Sequence, residues 1–184
     1  MTSIDLHGPG MWYATRAAGL VTLLLLTASV LLGVMTAGRF SSDRWPRFLT
    51  GGLHRNVSLL VLVFLALHVS TTVLDTFVSI PVTAAFAPFV SSYKRFWLGL
   101  GAIALDLLLA LLATSLLRNR LGHRSWRRVH WLAYACWPIG LAHGLGIGTD
   151  RATTWVFALT VACAAAVAGA ATWRLVTAVR LGTR

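Results

Sequence analysis

The chain has 184 residues, 57% of them hydrophobic and only 11% charged, with a mean hydropathy of +0.75. A soluble domain carries about a quarter charged residues, so this composition excludes a water-soluble globule and points to a lipid bilayer as solvent. The formal net charge of +11 would suggest nucleic acid in a soluble protein; here the charges stand between apolar runs, which fits orientation in a membrane and no nucleic-acid partner.

Residues 1–12 form a short polar head with Pro9 and Gly10. The first apolar span runs over residues 13–37, interrupted by Arg16 alone. It is too long for a secretory signal and is not followed by a small-residue cleavage site, so it is expected to remain in the protein. A loop follows with Arg39, Asp43, Arg44, Trp45, Pro46 and Arg47, closed by Gly51 and Gly52. The second span covers residues 54–75. Residues 76–96 read as a connector on the membrane surface, because Pro81 and Pro88 oppose a continuous helix. Span three covers 97–117, and a very basic loop runs from Arg118 to Arg128. Spans four and five cover 129–147 and 153–173, with a tight turn between them and a basic tail after them. Each span is long enough for a hydrocarbon layer of about 30 Å. The small residues of 162–171, Gly169 among them, suit close helix packing. Cys136 and Cys163 lie within apolar runs and read as small buried hydrophobes.

The expected fold is therefore all-α: one membrane domain over residues 1–184, built as a bundle of five transmembrane helices. Five spans put Arg39, Arg44, Arg47, Arg55, Arg118, Arg120, Arg124, Arg127, Arg128, Arg174, Arg180 and Arg184 on one side. Arg16, Lys94, Arg95 and Arg151 fall on the other. Basic residues concentrate in cytoplasmic loops. The N-terminus is then outside and the C-terminus cytoplasmic, in a multi-pass protein of the cell membrane.

Four histidines carry the chemistry. His54 and His68 are 14 residues apart on span two, and His130 and His143 are 13 apart on span four. The two spans run in the same direction. His54 and His130 then share an inner level, and His68 and His143 an outer level roughly 20 Å away at 1.5 Å per residue. Neutral imidazole is a good axial ligand for haem iron, so each level is expected to clamp one b-type haem. A spacing of 14 returns to within about 40° on a regular helix, whereas 13 misses by about 140°. Pro138 and Gly140 are expected to supply the irregularity that brings His143 round. The bland alternative is a haem-free scaffold or transport accessory whose histidines only bond helices together. An ionisable group inside a membrane is nevertheless a functional suspect. His7 and His123 read as surface histidines.

The paired histidines on alternate helices resemble the ferric reductase-like transmembrane domain shared by ferric reductases and NADPH oxidases. So do Ala66-Leu67-His68, the segment Ile139-Gly140-Leu141-Ala142-His143-Gly144, and the basic run Trp126-Arg127-Arg128 leading into His130. The likeness covers spans two to four. It implies two haems b, held by His54 with His130 and by His68 with His143, and an oxidoreductase component that moves electrons outward. The oxidases have six spans and a flavin and NADPH domain. This chain shows five and no nucleotide-binding glycine motif, so a separate donor, a flavoprotein or a quinol, is expected, with an acceptor on the outer face. A short haem subunit of this kind is also similar to the membrane partner of the periplasmic methionine sulfoxide reductase. Where the oxidases place a histidine one turn beyond the outer ligand, this chain has Thr72, which argues against superoxide production. Direct reduction of ferric chelate or oxygen at the outer haem is the alternative.

Haem propionates need cations. Arg55, Arg124, Arg127 and Arg128 are candidates at the inner level, where topology anchoring is the simpler role, and Arg16 is the candidate at the outer level. Lys94 and Arg95 read as interfacial anchors or attractors of an anionic chelate. Asp106, in mid-span, is open to proton transfer, an arginine partner or a protonated hydrogen bond. Phe64, Trp131, Tyr134 and Trp137 flank the space between the levels.

Overall fold

In lipid, every backbone N–H and C=O must find its partner inside its own segment, which leaves helices as the economical answer for long apolar runs. The computed structural model describes residues 9–38, 40, 42, 45–76, 78–149 and 153–182. His7, Arg39, Asp43, Arg44, Arg151 and Arg184 lie outside them. Among the described residues the regular structure is entirely helical, apart from an isolated bridge between Ser42 and Trp45. The helices are α1 (Pro9–Ala37), α2 (Arg47–Leu74), α3 (Thr83–Phe86), α4 (Arg95–Leu116), α5 (Arg118–Leu121), α6 (His123–His130), α7 (Ala133–Ile147) and α8 (Thr154–Gly182).

Four of them, α1, α2, α4 and α8, are long and apolar enough to cross a membrane. The expected fourth span is divided. α6 ends at His130, and α7 has 15 residues, about 22 Å at 1.5 Å per residue and short of the layer by itself. α2 begins seven residues before His54, directly after Pro46, so Gly51 and Gly52 lie within the helix and not in the loop. A glycine costs a helix only about 1 kcal/mol, and a Cβ at either position would meet nothing within 4 Å. Trp45 Nε1 also donates to Thr50 Oγ1 at 2.8 Å and ties the turn to the new helix. The basic loop is itself helical, as α5 and α6, because arginine is a good helix former. The break between them falls at Gly122, whose φ of 73° suits glycine. Among the described residues between α2 and α4, only the four-residue α3 is helical, flanked by Pro81 and Pro88.

The chain clusters into two units. The first holds Met1–Leu20 and Leu65–Thr149; the second holds Val21–Phe64 and Asp150–Arg184. In the first, α4 and α7 pack antiparallel through small residues. Gly101 faces His143, Gly146 faces Trp97, and the buried Cys136 thiol donates to Ala104 O at 3.5 Å. Phe89, in the connector, packs on Gly99 of α4. In the second unit, Gly38 lies against the Trp173 ring, and Val34, Thr50, Val61 and Cys163 are buried. Threonines inside the helices donate back to their own helix, as Thr27 does to Leu23 O and Thr160 to Val156 O, both at 2.8 Å. These hydroxyls are thereby not offered bare to hydrocarbon. The small-residue run of α8 is mostly exposed, and a Cβ on Gly169 would meet nothing within 4 Å. It therefore does not serve the close packing expected of it within this chain. Exposed Leu59, Leu60, Val63, Leu67, Trp155 and Phe157 give α2 and α8 the apolar exterior of lipid-facing helices.

Candidate functional site: a pair of imidazoles

His68 and His143 come together in the first unit. Their ring centroids are 6.3 Å apart and their planes 83° apart. Each ring is held from behind. His68 Nδ1 donates to Thr15 O of α1 at 2.8 Å, and His143 Nδ1 donates to Trp97 O of α4 at 2.8 Å. A carbonyl only accepts, so in both rings the proton sits on Nδ1 and the lone pair on Nε2. Two metal–imidazole bonds of about 2 Å each, plus the distance from nitrogen to ring centre on either side, come to about 6 Å. The spacing therefore suits one metal between the two rings. Among the described residues no group of three or more histidine, cysteine or acidic side chains could hold a bare ion. A two-ligand site of this kind suits a metal that brings its own equatorial ligands.

His54 belongs to the second unit and is held in the same way. Its Nδ1 donates to Ser29 O of α1 at 2.9 Å. A hydroxyl pair surrounds that bond: Ser29 Oγ and Ser58 Oγ are 2.8 Å apart, and Ser58 Oγ donates to His54 O at 2.7 Å.

His130 belongs to the first unit and ends α6. It stacks on Trp126 at 4.9 Å, and Trp126 in turn lies 5.5 Å from His123. The irregularity between His130 and His143 is present but sits earlier than expected. α7 runs on through Pro138. The turn tightens instead around Trp131 and Leu132, where the amides of 131, 132, 134 and 135 each bond the carbonyl three residues back. A 3₁₀ step turns about 120° against about 100° for an α step. Four such steps recover about 80° of the 140° that a spacing of 13 loses. The i→i+3 bonds thus supply rotation at Trp131 and Leu132, ahead of Pro138.

The cations sort by place. Arg16 lies next to Thr15, the residue that holds His68. Its guanidinium packs over the Trp12 ring at 4.7 Å and donates to Thr149 Oγ1, just past α7. Lys94 caps α7, with Nζ 3.2 Å from Ile147 O and 3.4 Å from Gly146 O. A cation on the last carbonyls of a helix is worth about 0.3–1 kcal/mol. Lys94→Met is therefore expected to lower the unfolding free energy of the detergent-purified protein by about that much; an unchanged thermal midpoint would show the cap to be idle. Arg95 Nε donates to Phe89 O. Arg55, Arg124, Arg127 and Arg128 are exposed, and among the described residues none of their side chains makes a hydrogen bond or ion pair. Asp106 is half-buried in α4. Trp137 is buried, Trp131 is 52% exposed, and Thr72 Oγ1 donates to His68 O at 2.6 Å.

None of the curated proteins and none of the solved structures compared with the chain matches it. Residues 10–150, which contain all four of these histidines, match a family model described as a domain of unknown function. The chain is thus a member of the DUF8596 family.

Proposed function

We propose that the protein is a membrane cytochrome b that carries two haems and passes electrons from the cytoplasmic side of the membrane to an acceptor outside. The observation that carries this reading is the His68–His143 pair, with ring centroids 6.3 Å apart and both Nδ1 protons committed to backbone carbonyls. His68 and His143 hold the outer haem; the inner haem is assigned to His54 and His130 from their sequence spacing alone. Bound haem supplies reversible one-electron transfer. The chain's own residues do the rest. The carbonyls of Thr15, Trp97 and Ser29 fix the tautomer and raise the basicity of three of the ligands, as outer-shell acceptors do. Arg16 offers a cation to a propionate at the outer level, and Arg55 and Arg127 offer cations at the inner level. Apolar helices keep water from the path. The donor is a flavoprotein or a quinol, and the protein acts as the oxidoreductase component that serves a separate acceptor.

The test is a haem-to-protein ratio and a reduced-minus-oxidised spectrum of protein purified from haem-sufficient cells. Two haems b per chain are expected. Colourless protein would leave the histidines as helix-bonding residues of a scaffold and end the reading.

A further inference from the structure

Three of the four histidines share one mounting. Each imidazole donates to the carbonyl of a residue on the neighbouring helix, and the residue four positions further along that helix is glycine. The sets are Thr15 O with Gly19 for His68, Ser29 O with Gly33 for His54, and Trp97 O with Gly101 for His143. The reason lies in helix geometry. A carbonyl already bonded to the amide four residues on keeps a second lone pair. A side chain in a helix lies over the turn preceding its own Cα, so the residue at i+4 stands over the carbonyl at i. A Cβ there crowds an imidazole reaching for that lone pair. A Cβ built on Gly101 would lie 2.6 Å from His143 Cε1, one on Gly19 3.1 Å from His68 Cε1, and one on Gly33 3.3 Å from His54 Cε1.

We infer that Gly19, Gly33 and Gly101 are positioning residues for the haem ligands: each opens one helix carbonyl to one imidazole and thereby fixes that ring's rotation. This rests on the haem reading above. The register supports it. Gly19 and Gly33 are 14 residues apart on α1, as are His68 and His54 on α2. His130 is the exception. Running the same antiparallel register along α4 leads to Thr114, whose hydroxyl donates to Ala110 O at 2.7 Å, and His130 stacks on Trp126 instead. The outer mountings together set the 83° between the His68 and His143 planes. Rings crossed so steeply give ferric low-spin haem a strongly anisotropic electron paramagnetic resonance signal, so ring rotation can be read directly.

The experiment compares wild type with Gly101→Ala, Gly19→Ala, Gly33→Ala and Gly144→Ala, reading haem content and the low-spin signals at each level. A Cβ on Gly144 would meet nothing within 4 Å, so that variant should match wild type although it adjoins His143. Gly101→Ala and Gly19→Ala should shift the outer signal and weaken retention of that haem by roughly 10–100-fold, the usual effect of losing an outer-shell partner, with the inner signal intact. Gly33→Ala should do the converse. If Gly101→Ala does not fold, the milder Gly19→Ala and Gly33→Ala carry the test. Wild-type signals in both of these would overturn the inference and leave the haem reading standing. A wild type without haem would remove both.

Discussion

Protein carrying His143→Ala is expected to be purified with one haem in place of two, and to have lost the outer low-spin signal. The ring lost is one half of the 6.3 Å pair, and its Nδ1 bond to Trp97 O is lost with it. An alanine methyl cannot reach a metal. The effect should exceed the roughly 10–100-fold that follows loss of an outer-shell partner alone. His68→Ala should have the same phenotype, because either ring completes the same site. His123→Ala should leave both haems in place, since that ring is exposed and reaches the site only through Trp126 and His130. Retention of two haems by both His68→Ala and His143→Ala would show that this pair is not a ligand pair.

Gly146→Ala is expected to be the most damaging single methyl in the first unit. A Cβ there overlaps the Trp97 indole and lies 2.5 Å from its Cγ, the atom nearest the backbone. The ring cannot yield at its far end alone; the side chain must change rotamer or α4 must move. Overpacking of this kind costs about 1–3 kcal/mol. The residue displaced is also the one whose carbonyl holds His143, so the loss of stability should come with a disturbed outer haem. Thermal unfolding in detergent and the haem spectrum measure the two effects together. A stable variant with an unaltered spectrum would mean that the α4–α7 contact is softer than its geometry implies.

Much of this was legible in the residues. Hydropathy alone locates the apolar runs that become α1, α2, α4 and α8, and Pro81 and Pro88 mark the connector as non-helical. The four histidines stand out because little else in those runs can bind anything. The places where sequence reasoning missed have physical causes. Gly51 and Gly52 look like a loop, but in lipid the need to pair every backbone group outweighs glycine's small penalty, and α2 extends back to Pro46. The arginines between 118 and 128 look like a loop because they are charged, yet their intrinsic preference is helical and only Gly122 interrupts them. Pro138 drew attention away from Trp131 and Leu132, since no residue type announces a 3₁₀ turn. The mountings of the imidazoles were missed although a signal existed: two glycines on the first helix repeat the spacing of two histidines on the second. Reading that signal requires pairing the helices in register, which a scan of one segment at a time does not do.

The tightened turn at Trp131 and Leu132 has a consequence for how such helices can change over time. A helix that loses one residue ordinarily swings every later side chain to a different side. Here a few amides shifted to the nearer carbonyl wind the chain further per residue and undo much of that swing. Two helices of unequal count can therefore present the same kind of group at matching heights, and a single-residue gap need not abolish a site that depends on both.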